Sequence, residues 1–269
     1  MSLIPQLSVL QLKISWAMNK KTNKIRLDLY MVANKLASSR ERAKRIIMTG
    51  KVFVDNMVID KPGTLIASDA AVICKEKDIP FVSRGGLKLD KAIKELKIDV
   101  NDLKCLDIGA STGGFTDCLI QNGAKKVYAV DVGYGQFDWQ LRQDSRVVVI
   151  ERTNIRYMSY ETIGEKLDLI VIDTSFISLK IVIPAAEKFM KQDSRILALI
   201  KPQFEAGKGK VGKGGVVRDD KLREQVIDDI RIFFEKRGYI AERIVPSPIL
   251  GPKGNKEYII SLKYFHENA

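Results

Sequence analysis

Residues 105–115 read Cys-Leu-Asp-Ile-Gly-Ala-Ser-Thr-Gly-Gly-Phe, and their order decides the fold class. A short apolar run, Cys105 to Ile108, ends in a turn of small residues, and Gly114 opens an apolar-periodic segment that reaches Asn122. This is a strand delivered directly into a helix. Small side chains let backbone come close to a ligand, and the first helical turn offers N–H groups that have no intrahelical partner. Asp131 ends the next strand candidate, about 20 residues on, where a carboxylate can accept hydrogen bonds from a ribose diol. The glycines do not spell GxGxxG, which argues against a standard dinucleotide fingerprint and keeps an adenosine-bearing ligand. A glycine turn that serves only tight packing is the plainer alternative.

Outward from this turn, strand and helix patterns alternate as they do around a parallel sheet. Strands are expected at Cys105 to Ile108, Val127 to Asp131, Val147 to Glu151, Leu167 to Asp173, Ile196 to Lys201, Ile240 to Val245 and Tyr258 to Tyr264. Helices are expected at Gly114 to Asn122, Gln136 to Gln143, Leu179 to Lys191 and Asp219 to Lys236. The fold class is therefore α/β with a seven-stranded, mostly parallel sheet, and ligands belong at the carboxyl ends of its strands.

The N-terminal part has another texture. From Arg26 the text predicts two short helices and then a hairpin, with Ser38 or Ser39 capping the second helix and Gly50 stopping it. Val52 and Val54, then Asp55-Asn56, then Val58 and Ile59 read as strand, turn, strand. Pro80 interrupts regular structure in a linker at 78–83. The expected division is a leader over 1–24, disordered or partly a start-site artefact, a small α+β domain over 25–77, the linker, and an α/β domain over 84–269.

Charge separates the same parts. Of the net +12, residues 1–62 carry eight, with 12 Lys and Arg against 4 Asp and Glu. The N-terminal quarter is the part suited to a polyanion. Cys74, Cys105 and Cys118 are odd in number and lack CxxC spacing, which points to a reducing cytoplasm with neither disulfide framework nor zinc site. With His266 as the one histidine, histidine-based metal or triad chemistry has almost no material. No metal and no membrane span are expected, and the oligomeric state stays open.

Gly207-Lys-Gly-Lys-Val-Gly212-Lys213 nearly spells a phosphate-binding P-loop. Gly214 stands where Ser or Thr must ligate magnesium, so ATP hydrolysis is rejected. Lys208, Lys210 and Lys213 on a glycine-rich loop instead suit contact with RNA.

Four charged residues mark the candidate reaction centre. Asp173, Lys201 and Glu257 each lie at or near an end of a strand candidate, and a parallel sheet gathers such ends on one rim. Lys88, at the start of a helix, can reach the same rim. A lysine acts as base only when its pKa, about 10.4 when free, is pushed toward neutrality by desolvation or a second cation. The expected roles are Lys201 as base, Lys88 as its cationic neighbour and oxyanion partner, and Asp173 and Glu257 as orienting carboxylates. Ordinary salt bridges on a sheet edge are the plainer alternative.

Several of these segments carry resemblances. Arg26 to Lys75, with SRERA followed by a Gly-Lys-Val-Phe-Val-Asp hairpin, resembles the S-four-type RNA-binding module named after a ribosomal protein. The candidate RNA contacts are Arg26, Ser39, Arg40, Arg42, Lys44, Arg45 and Lys51, with Arg84, Lys208, Lys210 and Lys213 further on. The glycine turn resembles motif I of the FtsJ-like methyltransferases. That resemblance implies S-adenosylmethionine as cofactor, with Asp107, Gly109, Ala110, Ser111, Gly113, Gly114 and Phe115 around its methionine part, Asp131 on the ribose and Asn154 by the adenine.

Together VSRGGLKL, LDIGASTGGFTDCLIQNGAKKVYAVDVGYGQ, RTNIR, VIDTSFISL, LIKPQFE, GKGGVVRD and GPKGNKEY resemble the TlyA family, also called haemolysin A, from about Arg26 to Tyr264. The resemblance implies a Rossmann-like methyltransferase behind a small RNA-binding domain. It implies methylation of the 2′-hydroxyl of cytidine in ribosomal RNA, with Lys88, Asp173, Lys201 and Glu257 in the positions of the family's K-D-K-E tetrad. The competing expectations are a membrane-damaging haemolysin and a non-catalytic RNA-binding factor of ribosome assembly.

Overall fold

The computed structural model describes residues 23–37, 39–75, 79–207, 209–212 and 214–264. The expected leader lies outside them except for Asn23 and Lys24, as do His266 and the capping candidate Ser38. The chain divides into two units, Met1–Pro80 and Phe81–Ala269.

In the first unit β1 (Lys24–Arg26) runs into α1 (Leu27–Ala33), followed by α2 (Arg40–Met48). Ser39 caps α2, its hydroxyl accepting from the Arg42 backbone N–H at 3.2 Å, and Gly50 turns the chain away at φ 68°. β2 (Val52–Val54) and β3 (Met57–Ile59) pair antiparallel across Asp55 and Asn56, both at positive φ as a tight hairpin requires. Three short strands escape the sequence pattern. β4 (Leu65–Ala67) pairs with β1, and β5 (Val72–Cys74) with the free side of β2. Three-residue strands are too short for an alternation window to register. Leu27, Met31, Ala43, Ile46, Ile47 and Val52 form the core of this unit.

The second unit begins with α3 (Gly85–Leu96) and is built on β6 (Lys104–Ile108), α4 (Gly114–Gln121), β7 (Lys126–Val130), α5 (Trp139–Gln143), β8 (Val147–Ile150), β9 (Leu167–Ile172) and α6 (Leu179–Ala186). It continues with β10 (Met190–Ile200), α7 (Pro202–Glu205), α8 (Asp220–Glu235), β11 (Tyr239–Pro246) and β12 (Tyr258–Tyr264). These strands form one seven-stranded sheet in the order β11-β12-β10-β9-β6-β7-β8, in which β12 alone runs antiparallel to its neighbours.

Both faces are covered, which explains the unbroken apolar runs. Ile108, Ile170, Ile172, Ala198 and Ile200 belong to one core cluster, while their neighbours Cys105, Leu169, Val171, Leu197 and Leu199 belong to the other.

Three boundaries differ from the sequence reading. α6 was expected to reach Lys191 but stops at Ala186, where Pro184 weakens its hydrogen-bond ladder and a 3₁₀ turn, Glu187–Phe189, leads into β10. β10 then starts six residues before the expected Ile196, its pairing with β9 shifting register between Met190 and Arg195. α5 begins at Trp139 rather than Gln136, because Asp138 caps it through the Gln140 N–H at 2.9 Å.

Candidate active site

From β6 the chain turns to one side through β7 and β8, then returns to the other side of β6 as β9. The crevice above the carboxyl ends of β6 and β9 is the switch point, where open α/β sheets hold ligands. Gly109 sits at its base with φ 86°, and a Cβ there would stand 2.7 Å from the Asp173 carbonyl oxygen. The two strand ends pass backbone against backbone, so only glycine fits. A cavity of about 370 Å³ opens above them, lined among others by Gly109, Ser111, Asp131, Asn154, Asp173 and Phe176.

Asp131 is held by two backbone amides, Ser111 N–H at 2.8 Å and Gly133 N–H at 2.6 Å. A carboxylate accepts at about four lone-pair positions, so capacity remains for hydroxyl donors. Asn154 uses its carbonyl on the Arg156 N–H at 3.1 Å.

The remaining motif residues stand behind the cavity rather than on it. Asp107 is fully buried, with Oδ2 accepting from the Thr116 hydroxyl at 2.7 Å and Oδ1 without a hydrogen-bond partner. Burial pushes its carboxyl up to about 7; the Asp173 and Asp131 charges add to the shift and the Thr116 hydroxyl opposes it. Ala110, Gly114 and Phe115 are buried. A Cβ at Gly113 would meet Leu141 at 2.6 Å and one at Gly114 would meet Ser83 Oγ at 2.2 Å, so close packing occupies both.

The four charged candidates come together. Lys88 Nζ lies 2.7 Å from Glu257 Oε2 and 3.7 Å from Asp173 Oδ2, while Lys201 Nζ lies 2.5 Å from Asp173 Oδ1. The result is a chain, Glu257 to Lys88 to Asp173 to Lys201, with two positive and two negative charges. Glu257 has no exposed side-chain surface and each lysine keeps 9%. These contacts are ion pairs by distance, since Asp173 Oδ1 and both Glu257 oxygens lack an aligned hydrogen bond among the described residues.

Topology explains the convergence. Asp173 follows β9 and Lys201 follows β10, both at carboxyl ends. Glu257 precedes β12, and because Tyr258 pairs antiparallel with Ile200, the amino end of β12 lies at the same rim. Gly251 makes room for Glu257, since a Cβ at that position would stand 2.1 Å from Oε1. Asp173 alone of the four lines the cavity, and so joins the ionic chain to it.

Three participants escaped the sequence reading. Ser175 Oγ accepts from Lys201 Nζ at 3.0 Å. Phe176 is 90% exposed at φ 64° on the cavity edge, its ring centroid 4.8 Å from that of Phe204. Each phenylalanine lies three positions beyond a charged candidate, Asp173 and Lys201, a repeated spacing that offered a signal. Glu205 accepts from the Ser178 hydroxyl at 2.6 Å and the Leu179 N–H at 2.8 Å, tying the loop after β9 to the segment after β10; burial raises its carboxyl pKa.

Of the candidate RNA contacts, Arg40, Arg45 and Lys51 are exposed in the first unit, and Arg26, Ser39, Arg42 and Lys44 are half-buried there. Arg84 and Lys210 are exposed in the second unit, while Lys208 and Lys213 lie outside the described residues. Among the described residues no group of three or more His, Cys, Asp or Glu could hold a metal ion, and no helix is long and apolar enough to cross a membrane.

The FtsJ-like methyltransferase family matches residues 81–264, and the S4 domain matches residues 25–72. TlyA of Mycobacterium tuberculosis, a 16S/23S rRNA (cytidine-2'-O)-methyltransferase, is 44% identical over 88% of this chain and 89% of its own length. Hemolysin A of Brachyspira hyodysenteriae is 43% identical over 87% of this chain and 98% of its own. A solved structure from Streptococcus thermophilus, described as a candidate hemolysin, is similar with a TM-score of 0.70 at 40% identity, covering 91% of this chain and 90% of that one.

Proposed function

We propose that this chain, which belongs to the TlyA branch of the FtsJ-like methyltransferase family, methylates the ribose 2′-hydroxyl of cytidine in ribosomal RNA. The observation that carries the proposal is the junction at Asp173, where a buried chain of two lysines and two carboxylates opens on a cavity at the switch point of the sheet. S-adenosylmethionine would supply the methyl group as an electrophilic sulfonium. The residues present fit that cofactor. Gly109 permits close approach, Asp131 has acceptor capacity for a ribose diol, and the Asn154 amide can face a base.

Removing the hydroxyl proton falls to Lys201, whose Nζ is oriented by Asp173 on one side and Ser175 on the other. Lys88, fixed between Asp173 and Glu257, presents a positive charge where the oxygen develops negative charge. The exposed ring of Phe176 suits stacking with an unstacked base, the usual way single nucleotides are held. The N-terminal unit contributes phosphate contacts through its arginines, which position RNA without reading sequence. The proposed location is the cytoplasm, where ribosomal RNA is made and assembled.

Incubation with labelled S-adenosylmethionine and ribosomal RNA or subunits, followed by mapping of ribose methylation, tests the proposal. Transfer to a cytidine ribose that disappears in Lys201→Ala supports it. Absence of transfer to free RNA and to both subunits would overturn it, and erythrocyte lysis undiminished in Lys201→Ala would favour a membrane activity instead.

A further inference from the structure

Asp28, in the first turn of α1, has no exposed surface. An acid at that position is ordinarily a solvated partner of the helix dipole. Here its oxygens are committed to arginines from two elements. Arg26, at the end of β1, donates Nε to Oδ1 at 3.0 Å and Nη2 to Oδ2 at 2.9 Å, and Arg40, the first residue of α2, donates Nε to Oδ2 at 3.0 Å. The Leu29 N–H adds a further bond to Oδ1 at 3.0 Å. Arg26 above all, with Arg40 second, holds the carboxyl far below the usual carboxylate range against the opposing effect of burial.

A buried ion cluster is a weak device for stability alone, because desolvation offsets the attraction. One carboxylate also needs only one guanidinium, and this cluster carries a net positive charge. The surplus faces outward, since the side chains of Arg26 and Arg40 keep 41% and 48% of their exposure. Arg40 spends only Nε on Asp28 and Arg26 retains Nη1, and neither guanidinium donates another hydrogen bond among the described residues. Gly63 leaves the space beside Arg26 open, since a Cβ there would stand 3.3 Å from Nη1.

We propose that Asp28 is a positioning residue that fixes Arg26 and Arg40 as one phosphodiester-binding site for the RNA backbone. Planar forks with unspent η donors match phosphate oxygens bidentately, and an ammonium in the same place cannot. Anchoring both forks on one buried carboxylate removes their rotamer freedom when the chain folds, so less is lost on binding. The proposal rests on the RNA-binding role of the N-terminal unit given above.

The test uses the full chain and purified ribosomal RNA at several salt concentrations, with S-adenosylmethionine affinity and thermal unfolding measured alongside. Asp28→Asn raises the net charge by one, so a pure field effect predicts tighter binding. Positioning predicts the opposite sign, a loss on the order of ten-fold, with cofactor affinity unchanged. The loss should not add to that of Arg40→Ala in the double variant. Arg40→Lys keeps both the charge and the pairing partner, and should also lose affinity even if Asp28→Asn proves unstable. Wild-type binding by Arg40→Lys, or equal or tighter binding by a folded Asp28→Asn, overturns the proposal. Wild-type binding by both Arg26→Ala and Arg40→Ala would instead remove the RNA role of the unit itself.

Discussion

Asp28 and Asp107 are the same residue type, both without exposed surface, one in each unit, and their carboxyls move in opposite directions. Asp28 meets two guanidinium groups and stays ionised. Asp107 meets one hydroxyl and two neighbouring carboxylates, and burial carries it up to about 7. Burial therefore does not settle the charge of a side chain; its partners do. In the tetrad two lysines face two carboxylates, and the junction carboxylate, Asp173, keeps 19% exposure where it reaches the cavity. Arginines that face outward suit binding, whereas lysines turned inward suit proton transfer.

The largest expected effect falls on that inward side. Lys201→Ala should lower kcat by roughly 10²–10⁴-fold, the usual contribution of a positioned general base. S-adenosylmethionine affinity by calorimetry should stay within about two-fold, since Lys201 does not line the cavity. Equal losses in turnover and cofactor affinity would instead make the residue a structural member of the site.

The next effect separates the two aspartates. Between about 4, the unfolded carboxyl value, and about 7, the folded chain retains a proton on Asp107 that the unfolded chain has released. Its contribution to stability is thus fully present below about 4, falls as pH rises to about 7, and is level beyond. Asp107→Asn should remove this slope and gain on the order of 2–4 kcal/mol relative to the parent between pH 4 and 8. Asp28 acts in the opposite sense, since its depressed carboxyl contributes above about 4 and loses that contribution as pH falls below it. Urea midpoints from about pH 2 to 8 check both signs, the Asp28 effect below about 4 and the Asp107 effect above it, and parallel pH curves for the two Asn variants would erase the comparison.

How much of this was legible depended on where each cause lies. Three of the tetrad could be read because Asp173 and Lys201 close long apolar strands and Glu257 opens one, so sheet topology assembles them, while Lys88 joins them from the first turn of α3. The ordering of Gly109, Ser111 and Asp131 was readable for the same reason. Asp28 was hidden, because its partner Arg40 is twelve positions away across a loop and an acid early in a helix already has a local explanation. Ser175 was hidden by backbone geometry, the left-handed turn at Phe176, whereas Phe176 itself shares with Phe204 the three-residue spacing from a charged candidate. Asp107, Ala110, Gly113, Gly114 and Phe115 were expected as cofactor contacts, but they stand behind the cavity, because ligand approach and close packing call for the same small residues.

A smaller effect sharpens the tetrad side. Gly251→Ala places a methyl group where Glu257 Oε1 now stands, so the carboxylate must turn from Lys88 or the loop must shift. A shift of this kind costs about 1–3 kcal/mol, and the expected result is a roughly ten-fold fall in kcat with RNA affinity kept. Unchanged kcat would mean that Glu257 has no orienting role.

The smallest effect tests whether charge alone makes an RNA contact. Lys44 and Arg40 share one helix and carry the same charge, but Lys44 is paired with the exposed Glu41 at 2.7 Å, three positions away on the same face. Its field is partly cancelled before RNA arrives, and an exposed pair of this kind is worth well under about 1 kcal/mol. Lys44→Ala should therefore weaken ribosomal RNA binding by less than about two-fold, and change the slope of log K against log salt by less than the loss of one full phosphate contact. Arg40→Ala, on the same helix, should exceed both. Equal losses at the two positions would show that the helix binds as a charged rod, in which the anchoring of Arg40 on Asp28 makes no difference.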